Sequence, residues 1–224
     1  ASSNTAAARR LPNFWNRNTV CIRRKVRRKG EEWQLKPVDV AKGDIKRQIA
    51  RTVKPLIQLY RFRTMGELRA LLSLYNIGVE EVKGEIGGRT YHGILYTALD
   101  GNGETAATPI KSSRLGRMTG AQQLDKKMQE SAAKIKSDPC RERLRPLVAE
   151  ALRQSVDERD FRDRLAKEQI DLVLRRNETG RIYGVTFIDH RSRTVLNGSR
   201  LGKGIHRRTT AQRTLSGTAA NSLS

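Results

Sequence analysis

The sequence predicts an α+β fold in which two helix–β-hairpin units are joined by a helical segment and flanked by disordered basic tails. Apolar residues recur with helical spacing in some stretches and alternate in others. A helix, a hairpin and the tetrapeptide Ser-Arg-Leu-Gly follow one another twice, and positive charge is concentrated at both ends. The predicted parts are a basic arm (1–30), a first unit (31–118), a helical connector (119–154), a second unit (155–203) and a tail (204–224).

The first unit opens with a helical stripe of apolar residues between Gly43 and Tyr60, in which Pro55 predicts a kink. Thr64 and Glu67 form a capping box, which predicts that a second helix begins there. Three further helix starts are predicted in the connector and the second unit, at the capping boxes Thr119–Gln122 and Ser155–Glu158 and at Asp138–Pro139.

Two β-hairpins follow from alternating apolar residues around glycine turns. The first pairs residues 78–85 with 89–98, and the second pairs 170–174 with 181–188. The capping boxes that precede them lie 91 residues apart and the Gly-Arg turns 92. Since Ser-Arg-Leu-Gly also recurs after each hairpin, we infer an internal duplication.

The charge predicts a polyanionic partner. The chain of 224 residues holds 45 Lys and Arg against 23 Asp and Glu, a net charge of +22, and its isoelectric point is about 10.9. Lys and Arg bind phosphates by releasing counterions, so we expect a nucleic acid. The sequence shows neither a membrane-spanning stretch nor a signal-peptide core, so no membrane partner is expected. Cys21 and Cys140 allow no disulfide framework or zinc-finger spacing, which fits a reducing cytoplasm.

The charge is uneven along the chain. Residues 1–29 hold nine basic and no acidic residues, and residues 189–224 hold seven and one. The remaining 29 basic and 22 acidic residues leave residues 30–188 with a net charge of only +7. The basic blocks near residues 23–29 fit either an arm on phosphates or a solvated tail.

The two Ser-Arg-Leu-Gly segments are the predicted phosphate sites. A Ser that caps a following helix, with Arg beside it, would combine backbone N–H groups, the helix dipole and a guanidinium. The alternative is a structural turn, and for Leu115 and Leu201 we favour a place in the core. The residues predicted to bind nucleic acid are Lys111, Ser113, Arg114, Arg181, Ser199, Arg200 and Lys203.

No metal site is predicted, because the three histidines show no close pair. No small-molecule ligand is expected either. Asp189-His190 fits an oriented imidazole or, as we favour, a polar turn. Four aromatic residues in the hairpins fit either base stacking or core packing, and alternation favours the core. These residues are Tyr91, Tyr96, Tyr183 and Phe187.

Several segments between residues 31 and 203 resemble the relaxase/mobilization nuclease family. The segments that carry the resemblance are Trp33–Asp39, Gly43–Ile49, Gly66–Ile77, Lys111–Gly116, Gly180–His190 and Asn197–Lys203. Relaxases nick one strand at the transfer origin of a mobile element. The resemblance implies tyrosine transesterification assisted by a divalent metal on a histidine cluster.

The chain departs from that family where the family's chemistry lies. It has no His-x-His cluster and no Tyr before Tyr60, so no catalytic residue is carried over. The resemblance therefore implies the region after the catalytic module, and the unmatched ends suggest a truncated or frame-disrupted gene. We expect a DNA-binding accessory part of a relaxase in the bacterial cytoplasm, which binds the transfer-origin region and other relaxosome proteins.

Three other functions stay open on the sequence alone. One is a nuclease with an unrecognised site at Asp189-His190. A second is an RNA-binding protein, since the same charge would serve A-form RNA. A third is a protein-interaction module whose tails hold most of the charge.

Overall fold

The computed structural model of the chain describes residues 35–202, 204, 205 and 209; the predicted arm at 1–30, Lys203 and most of the predicted tail lie outside these residues. No helix in this described part is long and apolar enough to cross a membrane. The helices are α1 (Ile45–Leu59), α2 (Met65–Ser73), α3 (Ala121–Ser137), α4 (Cys140–Gln154), α5 (Glu158–Lys167) and α6 (Gly198–Leu201). The strands are β1 (Ile77–Ile86), β2 (Arg89–Ala98), β3 (Ile110–Lys111), β4 (Ile170–Arg176), β5 (Ile182–Asp189) and β6 (Thr194–Asn197).

The predicted α+β class and the two helix–hairpin units are confirmed. In each unit a helix precedes an antiparallel hairpin, α2 before β1–β2 and α5 before β4–β5. Each hairpin gains a third antiparallel strand that was not predicted, so the sheets run β1-β2-β3 and β4-β5-β6. The Ser-Arg-Leu-Gly segment follows the third strand in both units.

The second sheet is buried on both faces. Val173, Ile188 and Val195 belong to the core that α1, α2 and the first sheet build. Their strand neighbours Leu172 and Phe187 face the other way, into a second core with α4 and α5. This explains why every residue of β5 except Tyr183 is buried, because a strand covered on both faces has no solvent side.

Arg61, just after α1, joins the first unit to the edge of the second sheet. Its N–H donates to the Arg193 carbonyl at 2.8 Å, and its carbonyl accepts the Val195 N–H at 2.9 Å. Its guanidinium donates to Asp138 at 2.5 Å and to the Ser192 carbonyl at 2.8 Å. One residue thus fixes the end of α1 against β6 and against the start of α4.

Helix capping departs from the sequence prediction at two of the three capping boxes. Thr64 caps α2 as predicted, and its hydroxyl accepts the Glu67 N–H at 3.2 Å. The boxes at Thr119 and Ser155 are wrong, since α3 begins after Gly120 and α5 is capped by Asp157. Asp157 displaces Ser155 because its carboxylate, nearer the helix, accepts the Asp160 N–H at 2.7 Å.

Ordered packing continues beyond the predicted boundary at residue 203. Ile205 is 8% exposed and lies in the second core, and Thr209 is fully buried. The Thr209 hydroxyl donates to the Ile205 carbonyl at 2.8 Å. These residues belong to the packed second unit, because Ile205 adds apolar surface to a core that sequence periodicity alone did not reveal.

Asp138 provides a pH-dependent link at the Arg61 junction. Burial raises the pKa of Asp138, but the Cys140 N–H and Arg61 outweigh it and hold the pKa below its ordinary value. Asp138→Asn should therefore lower the free energy of unfolding at pH 7 by about 1 kcal/mol. A group with a lowered folded pKa stabilises at neutral pH and loses that stabilisation as pH falls. Urea unfolding from pH 7 to pH 3 should show the two proteins converging; a constant gap would contradict this link.

Candidate nucleic-acid interface

Every charged residue on the solvent side of α1 is basic. Lys46, Arg47, Arg51 and Lys54 are exposed, and no acidic residue lies between Ile45 and Leu59. The opposite side is buried through Ile49, Thr52, Val53, Leu56 and Ile57. Residues three and four apart share a helix face, so Arg47, Arg51 and Lys54 form one row.

The charges of α1 are arranged in the opposite way to the arrangement that stabilises a helix. The first turn carries Lys46 and Arg47, and the last turn holds no basic residue. The helix dipole prefers the reverse arrangement, by a few tenths of a kcal/mol per charge. Only the N-cap Asp44, whose carboxylate accepts the Arg47 N–H at 3.4 Å, follows that preference. The basic row is therefore not explained by the stability of the helix.

A second basic element, residues 111–119, is called here the basic turn. It consists of two short 3₁₀ turns, Ser112–Arg114 and Arg117–Thr119. Lys111, Arg114 and Arg117 are exposed, whereas Leu115 is 3% exposed and packs in the first core. No acidic residue lies between Thr105 and Leu124.

Buried hydrogen bonds hold the basic turn to the first sheet. The hydroxyl of Tyr96, on β2, donates to the Thr119 carbonyl at 2.9 Å. Burial raises the pKa of Tyr96 above its ordinary value, so this hydroxyl stays protonated. The Thr119 hydroxyl in turn lies 2.8 Å from the Gly116 carbonyl and 3.0 Å from the Ser112 carbonyl. The arginines of the turn thus project from a fixed backbone.

Helix α1 and the basic turn lie side by side. A Cβ at Gly116 would be 3.4 Å from the Lys54 amino nitrogen, and the Gln58 amide donates to Met118 Sδ at 3.5 Å. Together they form one surface, called here the basic face. Its seven exposed cations are Lys46, Arg47, Arg51, Lys54, Lys111, Arg114 and Arg117. None of the seven forms an ion pair within the described part of the chain.

The two Ser-Arg-Leu-Gly segments share a backbone turn. Leu115 and Leu201 are both buried, as favoured from the sequence. Gly116 and Gly202 both have positive φ, 122° and 142°, a conformation that favours glycine. The prediction that Ser caps a following helix is wrong, because Ser113 and Ser199 lie inside their turns and cap nothing.

Arg200 serves the fold, unlike its counterpart Arg114. Its Nε lies 3.4 Å from Oε1 of Glu67, a carboxylate that is fully buried. Glu67 also accepts the N–H groups of Arg63 at 2.6 Å and Asn197 at 3.3 Å. Arg200 thus helps to balance a buried charge between α2 and the second sheet, which limits its use for phosphate.

Two other predicted binding residues, Arg181 and Ser199, lie on elements outside the basic face. Arg181 is exposed in the turn of the second hairpin, where its N–H donates to Asn177 Oδ1 at 2.8 Å. Ser199 is exposed on α6. The structure therefore brings together Lys111, Ser113 and Arg114 beside α1. The basic row of α1 was not predicted, because the sequence analysis used only the apolar side of this helix. The signal that could have found α1 is its complete lack of acidic residues.

Asp189 ends β5 and His190 opens the turn that follows, as favoured from the sequence, and both side chains are engaged within the fold. Asp189 is fully buried and binds Arg143, the Ser192 hydroxyl and the Arg191 N–H. His190 Nε2 lies 2.7 Å from the Asp171 carboxylate. Its Nδ1 lies 2.5 Å from the Tyr60 hydroxyl. This chain of contacts ties α1 to β4 and β5.

The four hairpin aromatics divide into two pairs. Tyr96 and Phe187 are fully buried, as predicted. The prediction of core packing is wrong for Tyr91 and Tyr183, which are 43% and 51% exposed. These two occupy equivalent positions, three residues after the Gly-Arg turn glycines Gly88 and Gly180.

Within the described residues, no group of three or more His, Cys, Asp or Glu side chains is arranged to hold a metal ion. Comparison of the chain with models of known protein families, with curated protein sequences and with solved structures finds no match in any of the three.

The two motif arginines should respond differently to substitution. Arg200→Ala should lower the free energy of unfolding by about 1–3 kcal/mol, because Glu67 stays buried with less compensation. Arg114→Ala should change it by less than about 0.5 kcal/mol, as for exposed side chains in general. Urea denaturation of both variants measures this difference, and equal effects would contradict the structural role of Arg200.

Proposed function

We propose that this chain binds DNA through the basic face, by contacts to the phosphate backbone. The observation that carries the proposal is a set of seven exposed cations on two adjoining segments that lack acidic residues. None of the seven has an ion-pair partner among the residues that the structure describes. Unpaired cations held close together repel one another, and a polyanion removes that repulsion while releasing its own counterions.

The shape of the basic face favours a polymer over a small anion. Arg47 and Lys54 are seven residues apart on α1, which corresponds to roughly 10 Å along the helix. The face extends further through Lys54 to Gly116 and the basic turn. Phosphates that repeat along a strand can contact several of these side chains at once, whereas a single phosphate reaches few of them. No base-reading residue is part of the proposal, since phosphate contacts position a protein without specifying a sequence.

The resemblance to relaxases supplies the biological setting of the proposal. Within it, the chain is an accessory DNA-binding part that holds the transfer-origin region, without nicking activity of its own. Lys111 and Arg114, which belong to one of the resembling segments, lie on the basic face. RNA binding and protein interaction are the competing functions, and the experiment below separates them from DNA binding.

The salt dependence of binding tests the proposal. Each phosphate contact contributes about −0.9 to the slope of log affinity against log salt for duplex DNA. The triple variant Arg47→Gln, Arg51→Gln, Lys54→Gln should therefore bind more weakly and reduce the magnitude of the slope by about 3. Fluorescence anisotropy with a labelled duplex, at roughly 50 to 300 mM salt, measures both quantities.

A matched control removes the same charge elsewhere. Arg141, Arg159 and Lys167 are exposed on α4 and α5, so their triple change to Gln also lowers the net charge by three. The control should bind nearly as the unchanged protein does. Equal losses in the two variants would mean that net charge alone acts, and tighter binding to an RNA duplex than to DNA would favour the RNA function. Absence of binding to either nucleic acid would overturn the proposal.

A further inference from the structure

Arg175 and Tyr183 form a surface site at the second hairpin, away from the basic face. The Arg175 guanidinium carbon lies 5.5 Å from the centre of the Tyr183 ring. Half of the Tyr183 side chain is exposed, although neighbouring residues of β5 are buried. An aromatic ring held against a guanidinium, with the rest of its surface open, resembles the platforms on which bases stack.

The backbone is shaped to hold this pair. Arg175 pairs with Gly184 and Arg176 pairs with Ile182, so Tyr183 is an extra residue without a partner across the hairpin. Such a bulge turns a side chain away from the regular alternation. Gly184 leaves room for this pair, since a Cβ there would overlap the Arg175 guanidinium and displace it.

The Arg175 guanidinium forms no ion pair within the described residues. Its Nε is buried and has no hydrogen-bond partner within the described residues. Unsatisfied buried donors are rare in native proteins, and each calls for an explanation.

Arg69 of α2 adds positive charge next to this site. Its Nε donates to the Val79 carbonyl at 3.1 Å, which fixes the side chain. Burial lowers the pKa of Arg69, and the nearby charge of Arg175 lowers it further, against the opposing effect of Glu80 and Glu81. Two neighbouring arginines repel each other, and an anion bound at Arg175 would relieve that repulsion.

We propose that Arg175 and Tyr183 bind one unpaired nucleotide of a single-stranded nucleic acid, with its base on the Tyr183 ring and its phosphate on Arg175. This proposal rests on the proposed function, and it adds a preference for single strands. Stacking on a side chain needs a base that is free of its own neighbours in the helix. A duplex would leave the Tyr183 ring unused and depend on the basic face alone.

The test compares single strands with a duplex on the full chain. The probes are oligothymidylate and oligouridylate of about 15 nucleotides and a duplex of equal length. Tyr183→Leu should weaken single-strand binding by roughly 5- to 150-fold, the range that stacking one base contributes. Duplex binding should be unchanged. The larger loss, with the deoxy or the ribo strand, identifies the natural source of the nucleotide.

The repeat supplies a matched control. Tyr91→Leu removes the equivalent exposed tyrosine, which packs over Gly84 instead of an arginine and should leave single-strand binding intact. Photocrosslinking with 5-iodouracil strands should label Tyr183 and not Tyr91. Equal losses in both variants, or no loss in Tyr183→Leu, would overturn the site. Because the basic-face variant weakens duplex binding and Tyr183→Leu does not, failure of one proposal is distinguishable from failure of the other.

Discussion

The structure depends on the way in which Arg61 and Glu67 fasten the first unit to the second sheet. The Arg61 backbone forms hydrogen bonds along the edge of β6, and its guanidinium donates to Asp138 and to the Ser192 carbonyl. Glu67, a fully buried carboxylate, takes N–H groups from Arg63 and Asn197 and lies against Arg200. A buried charge stabilises only when its partners are in place, so these contacts specify one docking geometry. The cover over one face of the second sheet follows from that docking.

Helix α1 connects this docking to the basic face. Its apolar side packs in the first core, and its last residues lead directly into Tyr60 and Arg61, which contact the second unit. Its other side carries the basic row beside the basic turn. The packing of α1 in the core therefore fixes the positions of its cations, because a shift of α1 would move Lys54 away from Gly116.

Local patterns predicted the elements well, and tertiary contacts decided what the sequence could not show. Both hairpins and the Thr64 cap followed from alternation and turn residues, which act over a few positions. The third strands were missed, since β3 and β6 are short and exist only by pairing with β2 and β5. The sequence predicts the same role for Arg114 and Arg200. Their roles differ because Arg200 pairs with the buried Glu67, which lies more than 130 residues away in sequence. The exposure of Tyr183 depends on a bulge that alternation cannot anticipate.

The repeated turn also has a consequence for how the protein can change. Its leucine and glycine serve the fold in both copies, through a buried side chain and a positive φ. Among the described contacts, the arginine between Ser and Leu pairs with a buried carboxylate in one copy, at Arg200, and not at Arg114. Position 114 is thus open to variation that alters what the surface binds at little cost to folding, while position 200 is constrained by its buried partner. The two copies of the turn thus combine the same scaffold with an arginine that is constrained in one copy and adjustable in the other.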